Sequence, residues 1–158
     1  MANVFLCSFV ALMLVGSTNY HTPVVKIPVT SAAAAEKVCG KWKLDDDRLI
    51  VQVYKDGMEF KAKIVWFDDH DDSRELDYWT DEKNPDPTLR TRKLLGMNVL
   101  EKLTYNQQTN SWEDGMIYDA KHGKLWNSSA YIDKEGALKV KGYWHYKFIG
   151  KTLTFKRI

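Results

Sequence analysis

The chain is predicted to be all-β: an up-and-down antiparallel meander of about eight strands that closes into a small barrel, with one long loop at 68–97. Three observations carry this. After residue 37 apolar and polar side chains alternate with period two rather than 3.6. Polar turn clusters rich in Asp, Asn and Gly separate the alternating runs. No stretch of that region repeats its apolar residues at helical spacing. A length of 158 residues with 13% aromatics supplies one domain with a sizeable core.

The N-terminal segment stands apart. Val4 to Val15 is almost wholly apolar, and Lys26 is the one charged residue before Glu36. Such a run is too short to span a bilayer core of about 30 Å, but it fits the apolar region of a secretory signal. Small residues at Val15-Gly16-Ser17 and at Ala32 to Ala35 mark cleavage near 17 or near 35. Residues 1–35 are therefore read as a leader and 36–158 as a single β-barrel domain without a transmembrane span. The n-region, Met1-Ala2-Asn3, carries no Lys or Arg; a buried N-terminal helix is the competing reading. Cys7 would leave with the leader, so Cys39 would be alone and reads as a small hydrophobe at the first strand rather than a nucleophile.

The strands follow in order. Residues 38–44 form the first. Leu49, Val51 and Val53 alternate with Ile50, Gln52 and Tyr54, and Lys55-Asp56-Gly57 turns the chain. Next, Met58, Phe60, Ala62, Ile64 and Trp66 share one face. Residues 98–105, 112–119 and 124–132 continue the meander, with turns at 106–111, 120–123 and 133–136. Leu138, Val140, Gly142 and Trp144 share a face of the run 137–146, and residues 151–157 close the chain. Consecutive hairpins of this number remove their edges by closing. The inward aromatics Trp42, Phe60, Trp66, Trp144 and Phe155 raise the question of whether the barrel is hollow or filled.

The loop at 68–97 is long for a compact domain, and such loops are usually functional. It carries Asp68-Asp69-His70-Asp71-Asp72, then Asn84-Pro85-Asp86-Pro87, then Leu89-Arg90-Thr91-Arg92. Read with Leu94-Leu95-Gly96, Trp112 to Asp119, Gly123-Lys124, Leu138 to Tyr143, Gly150-Lys151-Thr152 and Gly40-Lys41-Trp42, this ordered set resembles the bacterial domain of unknown function 2147. The resemblance covers about residues 38–158 and implies small exported bacterial proteins with no established activity. A looser resemblance is to lipocalin-like barrels, which begin with Gly-x-Trp and end with a basic residue over that Trp. Gly40 and Trp42 match the first feature and Arg157 the second; a guanidinium stacked on the indole would close one end. The alternative is that Arg157 snorkels outward.

Each chemical motif has a plainer counterpart. The acidic run is read as a solvated loop tip, against a divalent-cation site that lacks EF-hand spacing. Asn84, Pro85 and Asp86 make a rigid turn. Arg90 and Arg92, two apart in an extended segment, either bind a carboxylate or phosphate of a ligand or pair with Asp77, Asp86 or Asp119 as a latch. The candidate ligand-binding residues are Arg90, Arg92, Asn84, Asp86, Tyr118, Trp66 and Trp144. Gly40, Trp42, Arg157, Pro85, Gly115, Asp119 and Gly123 are the structural ones. No metal triad, nucleophile elbow or phosphate-cradling loop is present in the sequence, and no cofactor is called for. With 23 basic and 21 acidic residues there is no field for nucleic acid.

The expectation is an exported protein of the bacterial envelope, periplasmic or extracellular. It is a non-enzymatic barrel that binds a small apolar or amphipathic molecule. The rival is an interaction module with a filled barrel that contacts an envelope protein partner through its long loop. A deep apolar pocket would favour the first, and a filled interior with an exposed apolar patch the second.

Overall fold

A computed structural model describes residues 31–70 and 73–158. Eight strands run β1 (Gly40–Leu44), β2 (Leu49–Asp56), β3 (Glu59–Phe67), β4 (Asn98–Asn106), β5 (Ser111–Asp119), β6 (Lys124–Ile132), β7 (Leu138–Tyr143) and β8 (Gly150–Arg157). Each pairs antiparallel with the next, and β1 pairs with β8, so the sheet is a closed barrel. A short helix α1 (Ser31–Ala35) and a 3-10 turn (Glu36–Val38) precede β1. The expected meander is therefore present, strand for strand.

Closure needs curvature, and four register shifts supply it, one of them between Asn98 and Leu100 on β4. The others lie between Ile64 and Trp66 on β3, between Leu100 and Leu103 on β4, and between Trp112 and Gly115 on β5. Lys102 and Asp114 take left-handed backbone (φ 62 and 60) inside two of them. Each extra residue resets the in-out alternation. This corrects the phase of Trp66: the bulge pairs it with Ile50, while Ile64 pairs with Val51, and Trp66 is left 37% exposed. Met58 lies in the β2–β3 loop and is exposed, because the last pair of that hairpin is Asp56 with Glu59. β7 ends at Tyr143, short of the expected 146, so Trp144 stands beyond the strand and is 59% exposed.

The interior is packed. Trp42, Trp112, Phe60, Leu103, Leu138 and Val53 are all fully buried. Phe60 and Trp112 meet edge to face, with centroids 6.4 Å apart, as ring quadrupoles favour.

The end of the barrel nearest the N-terminal helix is closed. The Trp42 indole Nε1 donates to the Val38 carbonyl at 2.8 Å, and Trp112 Nε1 donates to the Ala35 carbonyl at 3.1 Å. Trp42 pairs with Arg157 across β1 and β8, and the guanidinium lies 4.2 Å from the indole centroid. Arg157 also donates to the carbonyls of Cys39 and Lys37. Gly40 makes this approach possible: a Cβ there would sit 2.4 Å from Arg157 Nη1. Cys39 is a free, half-buried thiol; burial, then the charge of Glu36, pushes its pKa up, which suits a packing role.

Candidate functional site

The opposite end gathers the turn 45–48, the long loop, the turn 120–123 and the β7–β8 connection. The long loop is fastened there by its own small hairpin. Thr80 bridges to Lys93, Asp81 N–H donates to the Arg92 carbonyl at 2.9 Å, and Leu94 N–H donates to the Trp79 carbonyl at 3.0 Å. At its far end the loop rejoins the wall, where Ile64 N–H donates to the Met97 carbonyl at 3.0 Å.

The hub of this loop is Asp81, 1% exposed. Its carboxylate accepts hydrogen bonds from Arg92 Nη2 at 2.8 Å, Asn84 Nδ2 at 2.6 Å and the Tyr118 hydroxyl at 2.7 Å. Burial by itself would raise the Asp81 pKa, but the three donors and the Arg92 charge outweigh it and hold the carboxyl below its ordinary range. Tyr118 shows the reciprocal effect. Burial first, then its hydrogen bond to the Asp81 carboxylate and that charge, push its phenol up to about 12.

Five candidate ligand-binding residues thus meet in one cluster. Arg92 pairs with Asp81, a partner outside the expected set of Asp77, Asp86 and Asp119. Arg90 Nε donates to the Asn84 carbonyl at 2.8 Å. Asn84 Oδ1 accepts from Asp86 N–H at 2.9 Å, and Asp86 caps the 3-10 turn Pro87–Leu89 by accepting from Thr88 N–H at 2.9 Å. Pro85 lies between these two Asx turns. The segment at Arg90 and Arg92 is a turn, in which Arg92 N–H donates to the Leu89 carbonyl, so the expected extended geometry is replaced by folded backbone. The cluster is docked on the β5–β6 hairpin. Asp119 starts the turn, accepting from His122 Nδ1 at 2.7 Å, and Gly123 (φ 63) brings its backbone against the Lys83 carbonyl. A Cβ on Gly123 would lie 1.9 Å from that oxygen.

Asp81 stands in no recognisable motif of the sequence. Its signal was faint: an acid three residues before Asn84, with Arg92 on the far side of a Pro-rich turn. Of the acidic run, Asp69 accepts from Trp79 Nε1 at 2.5 Å, while Asp71 and Asp72 lie outside the described residues. Among the described residues, no group of three or more His, Cys, Asp or Glu side chains is placed to hold a metal ion.

Trp66 and Trp144 lie apart from the cluster. Trp144 meets Trp126 edge to face at 5.5 Å at the open end of β6 and β7. Below them Gly142 leaves the inner wall without a side chain; a Cβ there would meet Ile117 at 3.5 Å and Trp126 at 3.9 Å. Leu44, Leu49, Ile117 and Leu153, on β1, β2, β5 and β8, are partly buried and pack against the core. Gly115, just past the β5 bulge, is overlaid by Leu103 and Ser128, which fill the barrel beneath.

Among the described residues, one open concavity adjoins the Arg92 side of the cluster and another lies at the closed end. The first, of about 420 Å³, runs along Arg92, Lys93 and Leu95 to Glu101; the second, of about 360 Å³, is bordered by Cys39, Trp42, Ile132 and Arg157.

The bacterial family DUF2147, described as an uncharacterized protein conserved in bacteria, matches residues 40–157. The chain belongs to the DUF2147 family. Among solved structures, this DUF2147 chain is similar to protein HP1028 from the human pathogen Helicobacter pylori, described as belonging to the lipocalin family. The two are 23% identical with a TM-score of 0.64, over 76% of this chain and 82% of that one. At that identity the likeness shows the fold, a lipocalin-like eight-stranded barrel, and the fold alone. No curated protein matches the sequence. No helix among the described residues is long and apolar enough to cross a membrane.

Proposed function

We propose that this DUF2147 protein is a non-enzymatic binding barrel that takes a small apolar or amphipathic molecule at its open end. The supporting observation is the aromatic rim. Trp126 and Trp144 stand edge to face beside the side-chain-free wall at Gly142, with Ile117, Leu153, Leu44 and Leu49 only partly buried. Apolar surface left half covered on an inward face gains most from a ligand that completes its burial.

Trp42, Phe60, Leu103, Trp112 and Leu138 fill the barrel below, so the deep pocket expected of a ligand binder is absent, and the filled interior with its exposed apolar loop favours the rival interaction module; the binding reading rests on the shallow rim alone. The buried Asp81 cluster acts as a latch that holds the long loop on the β5–β6 hairpin. The Asp81 carboxylate is satisfied by Arg92, Asn84 and Tyr118, which gives Arg92 Nη2 a structural role; we assign the ligand to the rim rather than to this cluster.

We further propose that the protein is exported, on the strength of the apolar N-terminal run and the near absence of charge before Glu36. Of the two cleavage positions, the one near 17 is favoured, because cleavage near 35 would remove the Ala35 carbonyl that Trp112 uses.

Native mass spectrometry of the protein purified gently from its own cell envelope tests both points. A discrete added mass, removed by organic extraction and absent from Trp144→Ala, is the expected result. A bare mass that does not shift after incubation with envelope lipid extract overturns ligand binding. A mature chain beginning after Ala35 overturns the cleavage assignment.

A further inference from the structure

Beside the rim, the β7–β8 connection presents a surface that neither the latch nor the barrel interior uses. Trp144, Tyr146, Phe148 and Ile149 are 59%, 62%, 78% and 63% exposed. The rings form a ladder: Trp126 to Trp144 at 5.5 Å, Trp144 to His145 at 5.6 Å, His145 to Tyr146 at 6.4 Å, and Tyr146 stacked on Phe148 at 5.5 Å.

The backbone beneath is fixed. Asn127 Nδ2 donates to the Trp144 carbonyl at 2.9 Å, Ile149 N–H donates to the Tyr146 carbonyl at 3.0 Å, and Lys147 pairs with Glu113 on the outer wall. A loop tied to the barrel at Asn127 and Glu113 and closed by its own Tyr146–Ile149 turn displays its apolar side chains instead of folding them under. Single exposed hydrophobics are ordinary, but a contiguous group of this size marks a binding surface.

We propose that this loop docks the protein on an anionic lipid surface. Charge identifies the occupant. Tyr143 to Lys151 contains Lys147, His145 and Lys151 and no acid. Lys147 is neutralised by Glu113, whereas Lys151 and, at the same end of β6, Lys124 are exposed and make no ion pair among the described residues. Of the other acids at this end, Asp119 is engaged by His122 and Asp45, Asp46 and Asp47 by Lys156, Arg48 and Lys43, while the remaining acids belong to the separate long loop.

Shape points the same way. A tip ending in a Phe that is 78% exposed is convex, and a bilayer offers it apolar depth without needing a matching pocket. Trp and Tyr suit the headgroup layer because one end of each ring system is apolar and the other polar. The Lys ammonium groups add attraction to anionic headgroups, falling with ionic strength. The inference does not depend on ligand binding at the rim: docking needs the loop alone. If both hold, the rim opens beside the membrane from which an amphipathic ligand would be drawn.

The test is co-sedimentation of the full mature protein with vesicles of equal parts phosphatidylglycerol and phosphatidylcholine, against vesicles of phosphatidylcholine alone. The expected result is binding to the anionic vesicles that weakens with salt. Replacing Phe148 and Ile149 together by Ser should weaken it about tenfold or more. Lys124→Glu with Lys151→Glu should remove the salt-sensitive part. All four side chains are solvent-exposed, so the circular dichroism and thermal midpoint of these variants should match the parent. Brominated acyl chains should quench a tryptophan signal that Trp144→Phe abolishes. Absence of parent binding to the anionic vesicles, or unchanged binding of the Phe148/Ile149 variant, overturns the proposal. So does a protein partner captured on this loop when vesicles are not bound. Failure here leaves an extractable ligand mass unaffected, and failure of the ligand test leaves vesicle binding unaffected.

Discussion

The guanidinium of Arg157 lies 4.2 Å from the ring centroid of Trp42, and its remaining donors reach the carbonyls of Cys39 and Lys37. One side chain on the last strand thereby covers the buried indole of the first strand and satisfies two carbonyls of the segment leading into it. Arg157→Ala should cost about 1–2 kcal/mol through the lost cation–π contact and hydrogen bonds. Arg157→Lys should recover less than half, because a single ammonium cannot reproduce the planar fork. The shift in urea midpoint at constant slope measures both; an unchanged midpoint in Arg157→Ala would deny the residue its closing role.

Removal of the Asp81 carboxylate strands the Tyr118 hydroxyl, the Asn84 amide and Arg92 together. Asp81→Ala should cost about 2–3 kcal/mol, less than for a fully buried ion pair because the Arg92 side chain is 41% exposed. The pH dependence follows from the two shifts. The Asp81 pKa is lowered in the fold, so its stabilisation is complete above the ordinary 3.8 and is lost as pH falls through the lower folded value. The Tyr118 pKa is raised, so its stabilisation is complete below the ordinary 10.0 and fades as pH rises toward about 12. Stability measured from acid to alkaline pH should show both limbs in the parent and a flatter acid limb in Asp81→Asn. A phenol titrating near 12 should vanish from the absorbance titration of Tyr118→Phe.

Gly57 and Gly123 separate backbone strain from steric contact. Both have positive φ, 62 and 63, but a Cβ on Gly57 meets nothing within 4 Å, whereas one on Gly123 meets the Lys83 carbonyl. Gly57→Ala should cost about 1 kcal/mol, as left-handed backbone does for an L-residue. Gly123→Ala should cost about 1–3 kcal/mol more and raise hydrogen exchange across the long loop. Equal costs in the two variants would mean that the loop does not rest on this hairpin.

Ser128 offers a gain. Its Oγ is buried and makes no hydrogen bond among the described residues, and the residue is 0% exposed. Ser128→Ala should raise stability by about 1 kcal/mol, since it removes a desolvated hydroxyl with almost no change in shape. The thermal midpoint should rise; a fall would reveal a partner for the hydroxyl.

The barrel was legible because its information is local. Period-two alternation and Asp, Asn and Gly turns name each hairpin, and Gly40-x-Trp42 with Arg157 named the pair that closes one end. The phase of Trp66 was not legible, because a bulge at Val65 is a property of how two strands must curve past each other rather than of the alternating residues. Trp144 departs from its expected inward face for a related reason: alternation continues past Tyr143 while the hydrogen-bond ladder stops. The latch was half legible. Asn84, Pro85, Asp86, Arg90 and Arg92 announced a rigid polar turn, but Asp81 acquires its role from Tyr118, a residue 37 positions away.

Because β1 pairs with β8, the sheet cannot be completed until its last strand has been synthesised. Until then β1 and β7 are both raw edges, and the Trp42 indole lacks its lid. A chain that loses β8 would expose both edges at once, and edge-to-edge association is the outcome such edges favour.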